Sequence, residues 1–111
     1  CSACATSHKA TALEAKILKV HNLPVDSLRI GTGCDACRGT GYRERIAAFQ
    51  ILESSEFLSE FMVTRPQPTL FRKHALDAGM TTMEFEALRL ASEGVTSVEE
   101  ALTLAVANDI A

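Results

Sequence analysis

The hydrophobic positions near the start of the chain follow a helical period. Between residues 10 and 21 they recur every three or four residues, opposite a face rich in lysine, which is typical of an amphipathic helix. They are Leu13, Ile17 and Val20, with Leu18 beside them. Pro24 disfavours a helical residue before it, so a helix is predicted over 10–21 and a short extended stretch over 25–30.

Residues 45–52 break this pattern, because they are almost continuously apolar. Their large apolar side chains are Ile46, Phe49, Ile51 and Leu52. Such a run is typical of a strand that is buried on both faces, and a strand is predicted here. The rest of the chain offers this strand no obvious sheet, and the first residue is Cys rather than Met. We therefore expect the chain to be part of a longer protein.

After residue 53 every periodic segment is helical, and four helices are predicted. The first is capped by Ser54 or Ser55, and the second runs from Thr69 to Ala78 before Gly79. The third and fourth each open on a capping box, in which Thr is followed three residues later by Glu. The boxes are Thr81 with Glu84 and Thr96 with Glu99, and the apolar stripe of the last helix is Val98, Leu102, Ala105 and Val106. The phenylalanines and methionines of this half are expected in the core.

Four cysteines form two Cys-x-x-Cys pairs. Cys1 and Cys4 begin the chain, and Cys34 and Cys37 follow after the intervening residues 5–33. Two residues between cysteines let both sulfurs turn toward one point, and two such turns supply the four thiolates that tetrahedral zinc needs. The gap between the pairs is longer than in common zinc ribbons. The predicted first helix must therefore lie in this gap and return the chain to the metal.

Four cysteines can also serve purposes other than zinc binding. Iron–sulfur clusters also take four thiolates, and disulfides or free thiols are further alternatives. Four cysteines in 111 residues are far fewer than in a disulfide-stapled secreted scaffold, and a disulfide within a Cys-x-x-Cys pair is strained. Zinc is the preferred interpretation. His8 and His21 are expected on the surface or on a helix face, since four sulfurs already complete a site.

Together these elements predict a mostly α fold. It consists of a small zinc knuckle with a helical insert and one short strand, followed by a small four-helix C-terminal subdomain. The predicted division is a tetracysteine zinc-binding subdomain at residues 1–45 and a strand with a helical subdomain at residues 46–111. Four glycines near the second cysteine pair fit the sharp turns of a metal knuckle. They are Gly31, Gly33, Gly39 and Gly41.

Composition and charge argue against two classes of protein, membrane-spanning proteins and nucleic-acid-binding zinc fingers. No apolar run approaches the roughly 20 residues of a membrane span, so none is predicted. Residues 1–52 carry seven Lys and Arg against four Asp and Glu, whereas residues 53–111 carry four against ten. The basic half either faces an acidic partner or balances the negative charge of a zinc tetrathiolate. The acidic second half and the aromatic content of only 5% argue against a nucleic-acid-binding zinc finger.

The sequence predicts no catalytic set within this chain. No Lys-Ser or Lys-Thr follows a glycine, as a phosphate-binding Walker A loop requires. Cysteine–histidine catalysis needs a free thiolate, and all four cysteines are assigned to the metal. His74, on the second helix of the acidic half, is expected to be structural or exposed.

The order of the motifs is distinctive: a Cys-x-x-Cys pair, a helical insert, and then Gly33-Cys34-x-x-Cys37-x-x-Thr40-Gly41-Tyr42-Arg43-x-Arg45. This order resembles the C-terminal tetracysteine zinc region of the ATPases of type II secretion and type IV pilus assembly. The segments 46–52, 79–83 and 93–100 resemble the strand and helical tail that follow it in that family. Glu44 stands where the family usually has Gly, and Gln50 where it usually has Glu, which indicates a divergent member.

The resemblance implies a zinc-binding C-terminal domain of a hexameric motor ATPase, with structural Zn²⁺ held by Cys1, Cys4, Cys34 and Cys37. The parent protein would bind ATP and Mg²⁺ outside this segment and couple ATP hydrolysis to pilus or pseudopilus assembly and protein export. Implied partners are its own N-terminal ATPase core, neighbouring subunits and an inner-membrane platform protein, but no nucleic acid. The implied location is cytoplasmic and peripheral at the bacterial inner membrane.

Arg45 matches a family arginine that can face the nucleotide, and its planar donor fork suits phosphate. The alternatives for Arg45 are balancing the thiolates or pairing with an acid.

A second function class stays open beside the ATPases. The segment Cys34-x-x-Cys37-x-Gly39-x-Gly41 is also one unit of the cysteine-rich zinc module of DnaJ-like chaperones. That module repeats the unit four times, whereas the first pair here continues without glycine. The secretion and pilus ATPases are therefore the preferred interpretation.

Overall fold

A computed structural model describes the backbone of residues 1–110 and the side chains of residues 1–104. Most of the regular structure is helical: α1 (Ala12–Val20), α2 (Glu56–Val63), α3 (Pro68–Asp77), α4 (Met83–Ser92) and α5 (Val98–Ile110). Two short strands, β1 (Ala5–Ser7) and β2 (Arg29–Gly31), and one 3-10 turn, Asp35–Cys37, lie in the cysteine region. This confirms the predicted fold class. None of the described helices is both long and apolar enough to cross a bilayer.

The two strands carry the chain away from the first cysteine pair and back to the second. They pair antiparallel, with Ala5 opposite Gly31 and Ser7 opposite Arg29. Helix α1 connects them, as the long gap between the cysteine pairs required. It begins after Thr11, whose hydroxyl accepts from the Glu14 N–H at 3.2 Å while the Glu14 carboxylate accepts from the Thr11 N–H at 3.0 Å. This reciprocal capping box fixes the helix start.

The chain divides into two compact units. One combines Cys1–Ala48 with Met83–Ala111, and the other is Phe49–Thr82. The cysteine region therefore shares a unit with α4 and α5, while α2 and α3 form the other unit. The predicted division into domains at residues 1–45 and 46–111 stays a prediction.

The core of the first unit joins helices that are far apart in sequence. Its fully buried side chains are Leu18 of α1, Leu28 just before β2 and Leu88 of α4. The cluster is completed by small or branched residues of α4 and α5, namely Ala87, Ala91, Val98 and Ala101. Helix α4 is followed by Gly94 with φ +81, where an added Cβ would lie 2.8 Å from the Ser27 carbonyl oxygen. Glycine thus permits both the turn and the close approach.

The second unit is a hairpin of α2 and α3. Ser55 caps α2 by accepting from the Leu58 N–H at 3.1 Å, and α3 opens with Pro68 at its first position, where the missing N–H costs no helical hydrogen bond. Leu58 and Ala75 are buried. The ring of His74 packs against Phe61, with ring centroids 4.5 Å apart.

The strand predicted over residues 45–52 is not formed. Residues 45–55 contain no helix or strand, and Ile46, Phe49 and Ile51 are 60%, 64% and 66% exposed rather than buried. A strand requires hydrogen-bonded neighbours, and the two strands of the cysteine region pair with each other. The local apolar pattern is typical of a strand, but residues 1–110, whose backbone the structure describes, supply no partner strand for it.

One predicted helix detail is also corrected. Helix α5 is capped by Ser97, whose hydroxyl accepts from the Glu100 N–H at 3.1 Å, and not by Thr96. Of its predicted stripe, Val98 is buried and Leu102 half-buried, while the side chains of Ala105 and Val106 lie outside the described residues.

Several apolar side chains lie at the surface where the pattern predicted core. Leu13 and Val20 of α1 are 66% and 71% exposed, whereas Leu18, beside the predicted stripe, is fully buried. Phe57 of α2 is 58% exposed. The helical period identifies the apolar residues of a helix. When these residues lie on more than one side, the period does not show which side packs against the core.

Candidate metal centre

The four cysteine sulfurs converge on one point. Their Sγ atoms all lie within 4.8 Å of one another. The individual separations are 3.8 Å between Cys1 and Cys34, 3.8 Å between Cys4 and Cys37, and 3.7 Å between Cys34 and Cys37. Each pair therefore meets the other across the knuckle, although the pairs are separated by residues 5–33.

These separations fit a single four-coordinate metal ion. Sulfur ligands at about 2.3 Å from a tetrahedral centre lie about 3.8 Å apart. A disulfide needs sulfurs at about 2.05 Å, so none is formed, and all four cysteines are free. The cysteine cluster is thus positioned to bind a metal ion.

The antiparallel ladder brings the two cysteine pairs to the same end of the strands. Cys4 immediately precedes β1, and Cys34 follows β2 by three residues. The Thr32 N–H and hydroxyl both donate to the Cys4 carbonyl, at 3.3 and 3.2 Å. This extends the contact between the strands up to the cysteine cluster.

Backbone N–H groups point at two of the sulfurs. Cys37 Sγ accepts from the N–H groups of Cys34 and Gly41, each at 3.2 Å, and Cys4 Sγ accepts from the Gly33 N–H at 3.3 Å. Such donors stabilise negative charge on sulfur. Gly33 and Gly41 have φ values of +97 and +83, a conformation that favours glycine. The predicted geometric role of the glycines is therefore visible at these two positions.

The second cysteine pair lies on a short 3-10 turn. Arg38 ends the turn with φ +56, and the Gly39 N–H donates to the Cys34 carbonyl at 2.9 Å. The Thr40 hydroxyl donates to the Cys37 carbonyl at 2.7 Å. Residues within and just after the turn therefore supply hydrogen bonds to the carbonyl groups of both cysteines, while the two thiols lie close together.

The environment makes Cys37 the most acidic of the perturbed thiols. Burial raises the pKa of Cys37, but the N–H donors of Cys34 and Gly41 and the neighbouring thiols lower it further, to about 6. The pKa of Cys34 moves the other way: the Cys37 N–H lowers it, but burial and hydrogen bonds with the Cys37 and Cys4 thiols raise it more. Cys37 therefore offers a thiolate, the form that binds metals, near neutral pH.

The histidines lie outside the cysteine cluster. His8 Nε2 is 3.2 Å from the Glu14 carboxylate, and His21 Nδ1 is 3.0 Å from the Ile17 carbonyl oxygen. Both interactions hold the rings to helix α1.

Arg45 lines a surface groove rather than the sulfur cluster. The groove has a volume of about 740 Å³ and lies between the loop after the second cysteine pair and helices α4 and α5. Arg43 and Glu44 also line it, together with apolar residues such as Leu90 and Leu104. Arg45 is exposed, and its predicted contact with a nucleotide stays a prediction.

One contact at this site had no signal in the sequence. The Tyr42 hydroxyl shares a hydrogen bond with the hydroxyl of Ser97, which is buried at the start of α5. The two residues are 55 positions apart, and no local pattern predicts their pairing. This bond joins the cysteine loop to the helical tail.

The chain was compared with known proteins at the level of sequence. No family model matches the chain. The chain is 33% identical over 72 residues to the type IV pilus assembly ATPase PilB of Thermus thermophilus, covering 65% of this chain and 8% of that protein. It is 28% identical over 68 residues to PilB of Myxococcus xanthus, and 31% identical over 70 residues to the type IV pilus assembly ATPase TfpB of Acinetobacter baylyi. These matches cover 61% and 63% of this chain, and 12% of each relative.

The comparisons thus confirm the resemblance to type IV pilus assembly ATPases. The chain matches only about a tenth of the length of these relatives. The resemblance is therefore to a segment of such ATPases.

Proposed function

We propose that this chain is the C-terminal zinc-binding region of a motor ATPase of type IV pilus assembly or type II secretion. The observation that carries the proposal is the convergence of four sulfurs within 4.8 Å of one another, three of their separations being 3.7–3.8 Å, within a chain similar to three pilus assembly ATPases. Four thiolates are the ligand set of structural zinc sites.

The proposed zinc is structural rather than catalytic. Four protein ligands fill a tetrahedral shell and leave no position for a substrate or an activated water. Zinc at this point would tie the start of β1 to the turn after β2. It would thereby hold the helical insert and the segment leading to Leu28 in place.

The first test is metal content with thiol accounting. Elemental analysis of the purified chain is expected to give about one zinc per chain, with four thiols that become reactive only after chelation. Cys37→Ser is expected to abolish stoichiometric binding, whereas Ala36→Ser, at an exposed position within the same turn, is the matched control. Four freely reactive thiols without metal, in a chain with an intact helical spectrum, would contradict the proposal.

The role of the parent protein follows from the resemblance. We propose that it is a hexameric ATPase, cytoplasmic and peripheral at the bacterial inner membrane, that binds ATP and Mg²⁺ outside this segment. It would couple ATP hydrolysis to pilus or pseudopilus assembly and protein export. The present chain would help to dock this motor to neighbouring subunits and to an inner-membrane platform protein.

Within that proposal, Arg45 contacts the nucleotide that the ATPase core holds. Its exposure on the rim of the groove and its guanidinium fork support this role. In the full-length parent, Arg45→Ala is expected to reduce ATP turnover, while Arg43→Ala serves as the neighbouring control. Unchanged turnover in Arg45→Ala would exclude the nucleotide role and leave the zinc proposal intact.

A further inference from the structure

The backbone does not support the four cysteine sulfurs equally. Cys37 Sγ accepts from two N–H groups, each at 3.2 Å, and Cys4 Sγ accepts from one at 3.3 Å. Cys34 Sγ lies within reach of the Cys37 N–H. In the described part of the chain, no N–H group donates to Cys1 Sγ. Among the described residues, Cys1 therefore has the sulfur whose negative charge the backbone stabilises least.

Cys1 is also the cysteine that small solutes reach most directly. It is half-buried, whereas Cys37 is buried. Cys1 lines the groove of about 740 Å³ beside the cysteine loop, and it also lines a smaller groove next to β2. Within the described residues, none of the other three cysteines lines either groove. A small electrophile in these grooves therefore meets the cysteine cluster at Cys1.

These differences determine reactivity once a metal is bound. Cysteine binds metal as a thiolate, so protonation does not distinguish the four sulfurs of a metal-loaded cluster. The thiolate is also the nucleophilic form of cysteine, and charge-assisted hydrogen bonds stabilise it against reaction. The sulfur with the fewest N–H donors and the most open surroundings is therefore the most reactive, and that sulfur belongs to Cys1.

Cys34 is placed to pair with Cys1 after oxidation. The two Sγ atoms are 3.8 Å apart, so a disulfide requires them to approach by about 1.8 Å. Cys34 and Cys37 are equally close, at 3.7 Å, so the product depends on which sulfur is oxidised first. If Cys1 is oxidised first, the disulfide joins the two cysteine pairs. Cys4 and Cys37 then remain as thiols 3.8 Å apart.

We propose that Cys1 is the peroxide-reactive thiolate of the metal-loaded cluster and that its oxidation ends in a Cys1–Cys34 disulfide. In the first step, the Cys1 thiolate attacks hydrogen peroxide. The S–O bond forms, the O–O bond breaks and hydroxide leaves, which gives a sulfenic acid. In the second step, the Cys34 thiolate attacks Cys1 Sγ. The S–S bond forms, the S–O bond breaks and a second hydroxide leaves. The two sulfurs lose two electrons, and the peroxide gains them.

The disulfide changes metal binding while it keeps the strand ends together. Two of the four thiolates are consumed, so the oxidised chain loses the ligand set of a structural zinc site. The same disulfide links the start of β1 to the segment after β2, which pair with each other in the ladder. The cluster is thereby a peroxide-responsive switch. This inference rests on the proposed function for the bound zinc and adds a redox response to it.

The test treats the zinc-loaded 111-residue chain with a single equivalent of hydrogen peroxide. The remaining thiols are then blocked with N-ethylmaleimide in denaturant and chelator, and the chain is digested with trypsin. Trypsin leaves the first cysteine pair in one peptide and the second pair in another. Mass spectrometry is expected to show these two peptides joined by a disulfide, with maleimide on Cys4 and Cys37. A disulfide within either pair would leave the peptides separate.

Two further measurements follow the separate steps. Limiting iodoacetamide, added to the zinc-loaded chain without peroxide, is expected to place at least about three-quarters of the first label on Cys1. A chromogenic chelator is expected to record about one zinc released per disulfide formed. Helicity should be retained, and dithiothreitol with added zinc should restore the starting chain. Ala36→Ser, at an exposed position between the second pair, is the matched control and should give the same products.

The outcomes separate this inference from the proposed function. A chain that holds no zinc before oxidation contradicts the proposed function, and the inference falls with it. A zinc-loaded chain overturns the inference alone if the first disulfide joins Cys34 to Cys37, or if the first iodoacetamide label lies on a cysteine other than Cys1. Conversion of the cysteines to sulfinic acid without a disulfide would also overturn it, because the switch would then not be reversible by thiols.

Discussion

At the scale of single residues, Glu44 stands out because its backbone adopts φ +63. The left-handed region costs an L-residue about 1 kcal/mol, whereas glycine adopts it freely. The Glu44 side chain is exposed, so no buried contact offsets the backbone cost.

Glu44→Gly is therefore expected to stabilise the chain, even though glycine also gains entropy in the unfolded state. The strain of about 1 kcal/mol is partly offset by the entropy that glycine gains in the unfolded state, about 0.4–1 kcal/mol. The expected gain in the free energy of unfolding is therefore at most about 0.6 kcal/mol, measured as a shift in the urea midpoint of the zinc-loaded chain. Glu44→Ala removes the charge but keeps Cβ, and should show no such gain. Equal stabilisation by Ala and Gly would attribute the effect to the carboxylate instead of the backbone.

Gly31 and Gly39 are glycines for different reasons. Gly31 is closely packed against backbone, whereas Gly39 has open space around it and a positive φ. A Cβ at Gly31 would lie 2.0 Å from the Gly41 carbonyl oxygen, whereas a Cβ at Gly39 would meet nothing within 4 Å, although its φ is +77. Gly31→Ala must displace backbone beside the cysteine loop, and a loss of about 2–3 kcal/mol in unfolding free energy is expected. Gly39→Ala should cost only about 1 kcal/mol. Denaturant titration measures the loss of unfolding free energy in both variants. A larger loss in Gly39→Ala than in Gly31→Ala would contradict the conclusion that close packing at Gly31 is the greater constraint.

At the scale of elements, the stabilisation of α1 by its capping box depends on pH, because the box contains the carboxyl group of Glu14. Burial raises the pKa of the Glu14 carboxyl, but the Thr11 N–H and His8 hold it below its ordinary value of 4.5. A carboxyl with a lowered folded-state pKa stabilises the fold above its ordinary pKa, and this contribution is lost as pH falls through the lowered value. The stabilisation by Glu14 is thus complete at neutral pH.

Glu14→Gln can keep the capping box but loses the carboxylate that faces His8, so it is expected to destabilise the chain at pH 7 by about 0.5–1 kcal/mol. The gap to the unsubstituted chain should narrow as pH falls below the ordinary pKa of 4.5. Unfolding free energies measured at several pH values test this. Glu93→Gln, which removes an exposed ion pair with Arg89, should change stability by less than about 0.5 kcal/mol. A gap that stays constant with pH would show that Glu14 acts through packing.

At the start of α5, the hydroxyl of Ser97 takes part in two hydrogen bonds. Ser97 accepts from the Glu100 N–H and bonds the Tyr42 hydroxyl. Ser97→Ala removes both bonds and is expected to cost about 2 kcal/mol of unfolding free energy, while Tyr42→Phe removes one and should cost about 1 kcal/mol. Thr96→Ala is the neighbouring control and should be close to neutral. If Thr96→Ala proved the costlier substitution, Thr96 and not Ser97 would be the cap.

The elements show what local sequence determines. Helices α1 to α5 all lie where the period predicted them, because amphipathic period, caps and proline act within one or two turns. Residues 45–52 have the composition of a strand, yet no strand forms, because pairing depends on a neighbour that composition does not reveal. The cap of α5 was misplaced by one residue, since Thr96 and Ser97 are both good caps and the contact with Tyr42 favours Ser97.

At the scale of the whole molecule, the convergence of the four cysteines was more predictable than the packing around them. Two Cys-x-x-Cys turns constrain four sulfurs through spacing alone, and a helix in the intervening gap was required to return the chain. The grouping of α4 and α5 with the cysteine region was not predictable, because it depends on a core cluster that includes both Leu28 and Leu88. It also depends on the choice of Leu18, rather than Leu13 or Val20, as the buried side of α1.

This shared core predicts that zinc binding and burial of Leu88 are thermodynamically linked. Leu28 precedes β2 directly, and β2 leads to Cys34, so a bound metal would order the segment that packs on Leu88. Leu88→Ala is expected to cost about 3 kcal/mol and, if the metal-free unit is largely unfolded, to weaken apparent zinc affinity more than tenfold.

Leu58 provides the matched control for this linkage, because it is equally buried but lies in the other unit. Leu58→Ala should reduce stability by a similar amount while leaving zinc affinity within about twofold, since energies of distant sites act independently. Competition titration with a zinc chelator measures the affinities, and thermal unfolding with and without chelator measures the stabilities. Equal loss of zinc affinity in both variants would mean that the chain folds as one cooperative body. No loss in Leu88→Ala would mean that the cysteine turns bind metal without the helical core.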